Sequence, residues 1–205
     1  VAIDRTTLKR KADEFEQLSM TDSLTGLPNR RYLEERLAEE IKRSQRHGFP
    51  MSLLVVDVDE FKSYNDTFTH PEGDKALRLV GQALKATLRG ADVAARQGGE
   101  EFSILLPQTT LGEAHTIAER IRERVESTQF PNRQVTVSIG IATCTPAIST
   151  WESLVKAADE AMYEAKRSGR NNVKIFEHTL MENTAARQTD DANDTEDDIR
   201  IGTGA

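Results

Sequence analysis

Two adjacent glycines, Gly98 and Gly99, sit between two short apolar runs, Val93-Ala94-Ala95 and Phe102-Ser103-Ile104-Leu105-Leu106. Glycine tolerates the positive φ that tight turns demand, so this spacing predicts a β-hairpin and with it an antiparallel pair of strands. Two acids follow the glycines in the run Arg96-Gln97-Gly98-Gly99-Glu100-Glu101-Phe102. A turn without side chains lets a bulky ligand lie against the main chain, and acids beside it suit a nucleotide with its divalent metal. A solvated hairpin tip has the same composition, so the motif needs a partner elsewhere in the chain.

That partner is the segment Met51 to Val58, which reads as a buried strand running into acids: Leu53-Leu54-Val55-Val56-Asp57-Val58-Asp59. A carboxylate at the end of such a strand is costly to desolvate unless it is paired or bound to metal. Strand alternation puts Asp57 and Asp59 on one face, while Val58 points away and leaves its carbonyl to bind a cation. If this strand pairs with the hairpin, Asp57 and Glu100 converge. Two acids and a main-chain carbonyl make a hard oxygen site for Mg²⁺, or Mn²⁺, carrying a triphosphate. Asp59 precedes Glu60-Phe61-Lys62 in the place of a helix N-cap, the role expected for it.

The remaining elements follow from periodicity and punctuation. Thr21 to Asn29 is a loop rich in caps and breakers, and Leu33, Leu37 and Ile41 mark a helix from about Arg30 to Arg46. A short helical turn is expected from Glu60 to about Asp66, and a longer helix from Gly73 to Leu88. Helices are expected again over Leu111 to Ser127 and Trp151 to about Arg167. Val135 to Ala142 alternates with period two and predicts a half-buried strand, and Val173 to Phe176 a short last one. The order βααββαβαβ predicts an α+β fold, an α/β sandwich whose central sheet is mixed, largely antiparallel and flanked by helices. Ferredoxin-like and polymerase-palm domains have this architecture.

Composition bounds the rest. At 205 residues the chain supports one good core. Of its net charge of −7, most lies from Leu180 on, where seven acids face only Arg187 and Arg200. The balance left elsewhere argues against a groove for a nucleic-acid polymer. The single cysteine, Cys144, excludes an intrachain disulfide and fits a reducing, cytoplasmic compartment. No apolar run is long enough to span a bilayer, so no direct membrane contact is expected of this segment. The chain begins at Val1, which is consistent with a piece of a longer protein, such as the cytoplasmic end of a membrane-anchored one. Three regions are expected: a connector helix over 1–20, one globular domain over 21–178, and an acidic, disordered tail over 179–205.

Further residues carry chemistry or its ordinary alternatives. Lys166 and Arg170, four apart, suit the same phosphates, although cations near a helix C-terminus are also ordinary dipole partners. Asn65 and Asp74 offer the donors and acceptors of a guanine edge, and each also suits a turn or cap. His70 between them reads as a turn residue. Arg89 and Asp92 suit two edges of guanine or form a helix-ending ion pair, and spacing alone does not choose.

Taken together, the motifs resemble the GGDEF family, the catalytic domains of diguanylate cyclases, in its GGEEF variant. The resemblance covers roughly residues 20–177. It is carried by Asp22 through Arg31, Asp57 through Lys62, Asn65-Asp66, His70 with Gly73-Asp74, Arg96 through Phe102, Val137 through Gly140, and Ala161 through Asn171. It implies condensation of two GTP into cyclic di-GMP with release of two pyrophosphates, at the interface of a two-fold homodimer. In that family Asp57, the Val58 carbonyl and Glu100 would hold Mg²⁺, and Glu101 would assist at the metal or in deprotonating the 3′-hydroxyl. Asn65 and Asp74 would read guanine. Phe61, through its amide, with Lys62, Lys166 and Arg170 would bind phosphates, and Gly98 and Gly99 would let the nucleotide lie close. Arg89 and Asp92 match the family's RxxD inhibitory site, with Arg120 as a second contact, which implies product feedback. An upstream sensor or receiver domain is implied as regulator. The alternative is a catalytically silent module binding GTP or cyclic di-GMP, although such modules usually lose the acids or glycines kept here. One departure is Thr69, where the family usually has glycine; if that position needs positive φ, threonine is strained.

Overall fold

The structure, a computed structural model, describes residues 20–177; the expectations for the connector before Met20 and for the acidic tail lie outside the described residues. In chain order the elements are α1 (Arg30–His47), β1 (Met51–Val58), α2 (Phe61–Phe68), α3 (His70–Thr87), β2 (Val93–Gly98), β3 (Glu101–Pro107), α4 (Leu111–Glu126), β4 (Val137–Thr143), α5 (Trp151–Arg167) and β5 (Val173–Ile175). The sheet runs β2-β3-β1-β4-β5, antiparallel at every pairing except β4 with β5, which the α5 crossover makes parallel. The expected α+β sandwich is the observed one.

β1 is central and buried along its whole length because both faces of the sheet are covered. Leu54, Val56, Phe102, Ile104 and Ile139 face the α2–α3–α4 side, where Leu77, Val80, Leu84 and Ile121 close the core. Leu53, Val55 and Leu105 face α1 and α5, packing on Leu33, Leu37, Leu154 and Ala158. Gly140 on β4 decides how close α5 comes. A Cβ there would lie 2.1 Å from the Ala158 carbonyl and from the Met162 amide, so the helix backbone rests directly on the strand. The end of α5 thereby overhangs the acidic end of β1.

Three expectations change in detail. The hairpin tip is Gly99-Glu100 instead of the glycine pair, because an extra residue between Arg96 and Gly98 bulges β2 and carries Gly98 into the strand. Gly98 and Gly99 do take positive φ, 141° and 54°. Helix α3 begins at His70, three residues before Gly73, since Pro71 suits a first turn whose amides have no helical partner anyway. Asp59 does not cap α2: Glu60 holds that position with φ 55° and no side-chain cap bond, while the Asp59 carboxylate is turned to other partners.

Candidate nucleotide and metal site

Asp57, 3 % exposed, is paired across β1 with Glu101 on β3 and with Ser138 on β4. Directly paired residues point to the same face, so Asp57 and Glu101 both look toward α5. One residue on, the Val58 N–H donates to the Glu100 carbonyl at 3.2 Å. The hairpin therefore brings Glu100 and Glu101 to the same end of the sheet as Asp57 and Val58.

Lys166, in the last turn of α5, puts its Nζ 2.8 Å from Asp57 Oδ1. The contact is an ion pair, and Oδ1 is buried. Burial pushes the Asp57 carboxyl up to about 6; Lys166 opposes the rise, and the charges of Glu100 and Glu101 add to it. A buried carboxylate oxygen faced by an ammonium, at the sheet end that also carries Glu100 and Glu101, is suited to a hard divalent cation. Among the described residues no three acidic, histidine or cysteine side chains gather for a metal. A cation here would thus take two carboxylates and complete its shell from main-chain carbonyl, water and phosphate oxygens, the usual habit of Mg²⁺.

Beyond α5 the chain turns through Gly169, Arg170 and Asn171, all at positive φ. Arg170 Nε reaches Glu60 Oε1 at 3.1 Å, so Lys166 at the end of α5 and Arg170 just after it both face the end of β1 and the start of α2. Phe61 there is buried and Lys62 exposed.

Helices α2 and α3 meet at the single residue Thr69, and their junction carries Asn65 and Asp74. Asn65 Oδ1 is buried and has no hydrogen-bond partner among the described residues. Gly73 packs so tightly on it that a Cβ would sit 1.8 Å from that oxygen. Asp74 is exposed one residue further along, and His70 is exposed at the helix start. Thr69 has φ 79° and ψ 157°, a region nearly reserved for glycine, so the strain foreseen at this position is present.

Arg89 and Asp92 lie at the far end of α3, away from Asp57. Arg89 Nε donates to Asp92 Oδ1 at 2.9 Å, and its Nη2 donates to Thr109 Oγ1 at 2.6 Å and the Pro107 carbonyl at 3.2 Å. The ion pair expected as the ordinary alternative is thus formed, with Asp92 buried beneath a half-exposed Arg89. Both residues border a hollow of about 520 Å³ that Thr116 and Arg120 also line. Arg120 Nη2 donates to the Thr87 carbonyl at 3.0 Å on the same rim.

Two arrangements escaped sequence reasoning. Arg96 donates through Nε and Nη2 to the Gly99 carbonyl, at 3.1 and 2.6 Å, and pairs with Asp22 at 3.1 Å. The loop after Met20 is thereby tied to the hairpin tip. Asp22 is itself fixed by Thr25, whose N–H and hydroxyl donate to Oδ1 at 2.8 and 2.6 Å, a local turn pattern that the Asp-x-x-Thr spacing could have disclosed. Burial opposes ionisation of Asp22, but the Thr25 bonds and the Arg96 guanidinium outweigh it and hold the carboxyl below its usual range. The second is Asp59, whose partners are described below.

Residues 19–172 match the family described as "Diguanylate cyclase, GGDEF domain". The chain is 44 % identical over 172 residues to the response regulator PleD of Caulobacter vibrioides, an alignment covering 81 % of this chain and 38 % of PleD. Among solved structures, diguanylate cyclase SiaD of Pseudomonas aeruginosa, in complex with its activator SiaC, superposes with a TM-score of 0.74 at 40 % identity, covering 83 % of this chain and 71 % of that one. The GGDEF domain of DgcB from Caulobacter crescentus, solved with c-di-GMP, gives a TM-score of 0.74 at 35 % identity over 77 % of this chain and 93 % of that one. The chain spans less than half the length of the curated relatives it matches first. With the sheet order, the acids at one end of β1 and the glycine hairpin beside them, these matches make the chain a member of the GGDEF family of diguanylate cyclase domains.

Proposed function

We propose that the domain over residues 21–178 condenses two GTP into cyclic di-GMP with release of two pyrophosphates, using Mg²⁺ or Mn²⁺. The observation that carries this reading is the buried Asp57 carboxylate, faced by the Lys166 ammonium at 2.8 Å, at the sheet end shared with Glu100 and Glu101. Asp57, the Val58 carbonyl and Glu100 would hold the metal. When bound it would offset charge on the α-phosphate and leaving pyrophosphate and lower the pKa of the attacking hydroxyl.

The chain's own side chains supply the rest. Lys166 and Arg170 face the junction where Phe61 and Lys62 begin α2, which supports a phosphate-binding role for all four, Phe61 through its amide. The unsatisfied Asn65 oxygen and the exposed Asp74 carboxylate support guanine recognition, since guanine N1–H and N2–H need acceptors. Gly98 at the end of β2 and Gly99 in the turn carry no side chains there, which supports a close approach of the nucleotide. Glu101, opposite Asp57, would take up the 3′-hydroxyl proton or assist at the metal. The oxygen then forms a bond to the α-phosphorus of a second GTP while the bond to pyrophosphate breaks. One domain holds one GTP, so two domains meet about a two-fold axis as a homodimer. Chromatography of the products made from GTP and Mg²⁺ tests the reading. Cyclic di-GMP is expected, and binding without turnover would instead establish the silent module.

Product feedback at Arg89, Asp92 and Arg120 is part of the proposal, supported by the hollow they border and by the c-di-GMP bound to the DgcB domain. Arg89→Ala is expected to raise the inhibitory concentration of cyclic di-GMP at least about tenfold, since it removes a bidentate cation; unchanged inhibition would refute the assignment. An upstream sensor or receiver domain is proposed from the short coverage of PleD, named a response regulator. GTP as substrate implies the cytoplasm. No helix among the described residues is long and apolar enough to cross a membrane.

A further inference from the structure

Asp59 lies one residue past β1 and is 7 % exposed. Its carboxylate collects three hydrogen bonds: from Ser138 Oγ to Oδ1 at 2.6 Å, and from Thr136 Oγ1 and the Asn171 N–H to Oδ2 at 2.7 and 3.0 Å. A buried carboxylate is costly unless it is satisfied in this way, so its partners indicate what it is kept for. Joining β4 to β1 does not need it. Main-chain pairing already matches Asp57 with Ser138 and Val58 with Val137, and the Asp59 N–H donates to the Thr136 carbonyl at 2.9 Å. The contact that no main-chain bond among the described residues duplicates is the one to Asn171, 112 residues away in sequence.

Asn171 closes a turn of three successive positive φ values, Gly169 at 106°, Arg170 at 60° and Asn171 at 45°. Side chains disfavour that conformation, so Arg170 and Asn171 need support from outside the turn. Asn172 Nδ2 ties it to the Ala165 and Arg170 carbonyls at 2.9 and 2.8 Å. The Asn171 side chain lies between Arg122 and Glu126, at 3.2 and 2.8 Å. Those bonds attach the turn to α5 and α4, and the Ile139 N–H, donating to the Asn172 carbonyl at 3.0 Å, attaches its far end to β4. The Asp59 bond attaches its backbone to the β1–α2 junction, where the neighbouring Glu60 also takes Arg170 Nε.

We propose that Asp59 is a positioning residue that touches no substrate: by holding the Asn171 N–H it fixes the Arg170 turn at the phosphate end of the site. The inference rests on the phosphate-binding reading of Lys166 and Arg170. Without the carboxylate, Asn65 and Asp74 stay in place on α2 and α3 while the turn loosens. The loss therefore falls on the phosphates and spares the base.

The test compares dissociation constants for 3′-deoxyguanosine and its triphosphate with Mg²⁺; the missing 3′-hydroxyl prevents condensation. The ratio of the two isolates the contribution of the phosphates. Asp59→Ala is expected to reduce that ratio at least about tenfold while nucleoside affinity stays within about twofold. Asp59→Asn keeps an oxygen for the Asn171 N–H, and its amide can donate to the serine hydroxyl, so it should retain the ratio within about threefold. Ser138→Ala removes one bond from the same buried carboxylate but not the Asn171 bond, and should also retain it. If Asp59→Ala does not fold, Asp59→Ser, too short to reach Asn171, replaces it with the same expectation. An unchanged ratio in the truncated variant, an equal loss for nucleoside and triphosphate, or an equal loss in Ser138→Ala overturns the inference. A wild-type protein that binds both ligands equally refutes the phosphate reading itself, and the inference with it.

Discussion

Lys166 Nζ lies 2.8 Å from Asp57 Oδ1, so a lysine and any metal bound at this end of β1 compete for the same buried oxygen. The ammonium offsets the Asp57 charge in the metal-free protein, and a divalent cation must displace it or share the carboxylate.

Lys166→Met is accordingly expected to act in opposite directions on two ligands. Binding of Mn²⁺ alone should tighten about three- to tenfold, because a competing charge in a buried setting is gone. Binding of GTP should weaken by a similar factor or more if Lys166 serves as the proposed phosphate contact. Titration calorimetry with each ligand checks both, and weaker Mn²⁺ binding would contradict the competition.

Thr69 stores strain at the corner joining the two candidate guanine helices. A non-glycine residue in this region costs about 1–3 kcal/mol, and glycine returns part of that through the freedom of its unfolded chain. Thr69→Gly should therefore stabilise the domain by about 1–2 kcal/mol, read as a higher urea midpoint at unchanged slope. A lower midpoint would mean that the threonine side chain makes contacts worth more than the strain.

Asp22 sets a pH dependence. Its folded-state pKa lies below the unfolded value of 3.8, so the unfolded chain takes up the proton first as the pH falls. Its contribution is complete above about pH 5 and disappears as the pH drops through the folded value. Asp22→Asn should cost about 1–2 kcal/mol at pH 7, the worth of a charge-assisted contact, and progressively less as the pH falls below 3.8. Stability curves of the two proteins that stay parallel at all pH values would contradict the role given to the Arg96 pair.

What the sequence disclosed and what it hid separate along the distance over which each interaction acts. β1 was legible because eight successive residues are covered on both faces, and the hairpin because glycine chemistry is local. The strain at Thr69 was legible only through the resemblance, which marks that position as one where glycine is usual. Asp59 was misread as a cap because capping is judged from the next three residues, whereas its real donors lie 77 to 112 residues away. Gly73 read as a helix boundary because glycine weakens helices. Its reason for being there is the Asn65 side chain on another helix, which leaves no space for a Cβ. The Asp22–Arg96 pair spans 74 residues and has no periodic signature at all.

The most direct check of the metal-centred account is the rate of cyclic di-GMP formation from GTP and Mg²⁺ by the wild-type protein and by Glu100→Ala, with folding verified by circular dichroism. Removing one of two carboxylates from the cation should lower turnover by roughly a thousandfold or more while the sheet survives, since Glu100 sits at the hairpin tip. A folded Glu100→Ala protein that makes cyclic di-GMP at the wild-type rate would contradict the claim that Asp57 and Glu100 serve one cation.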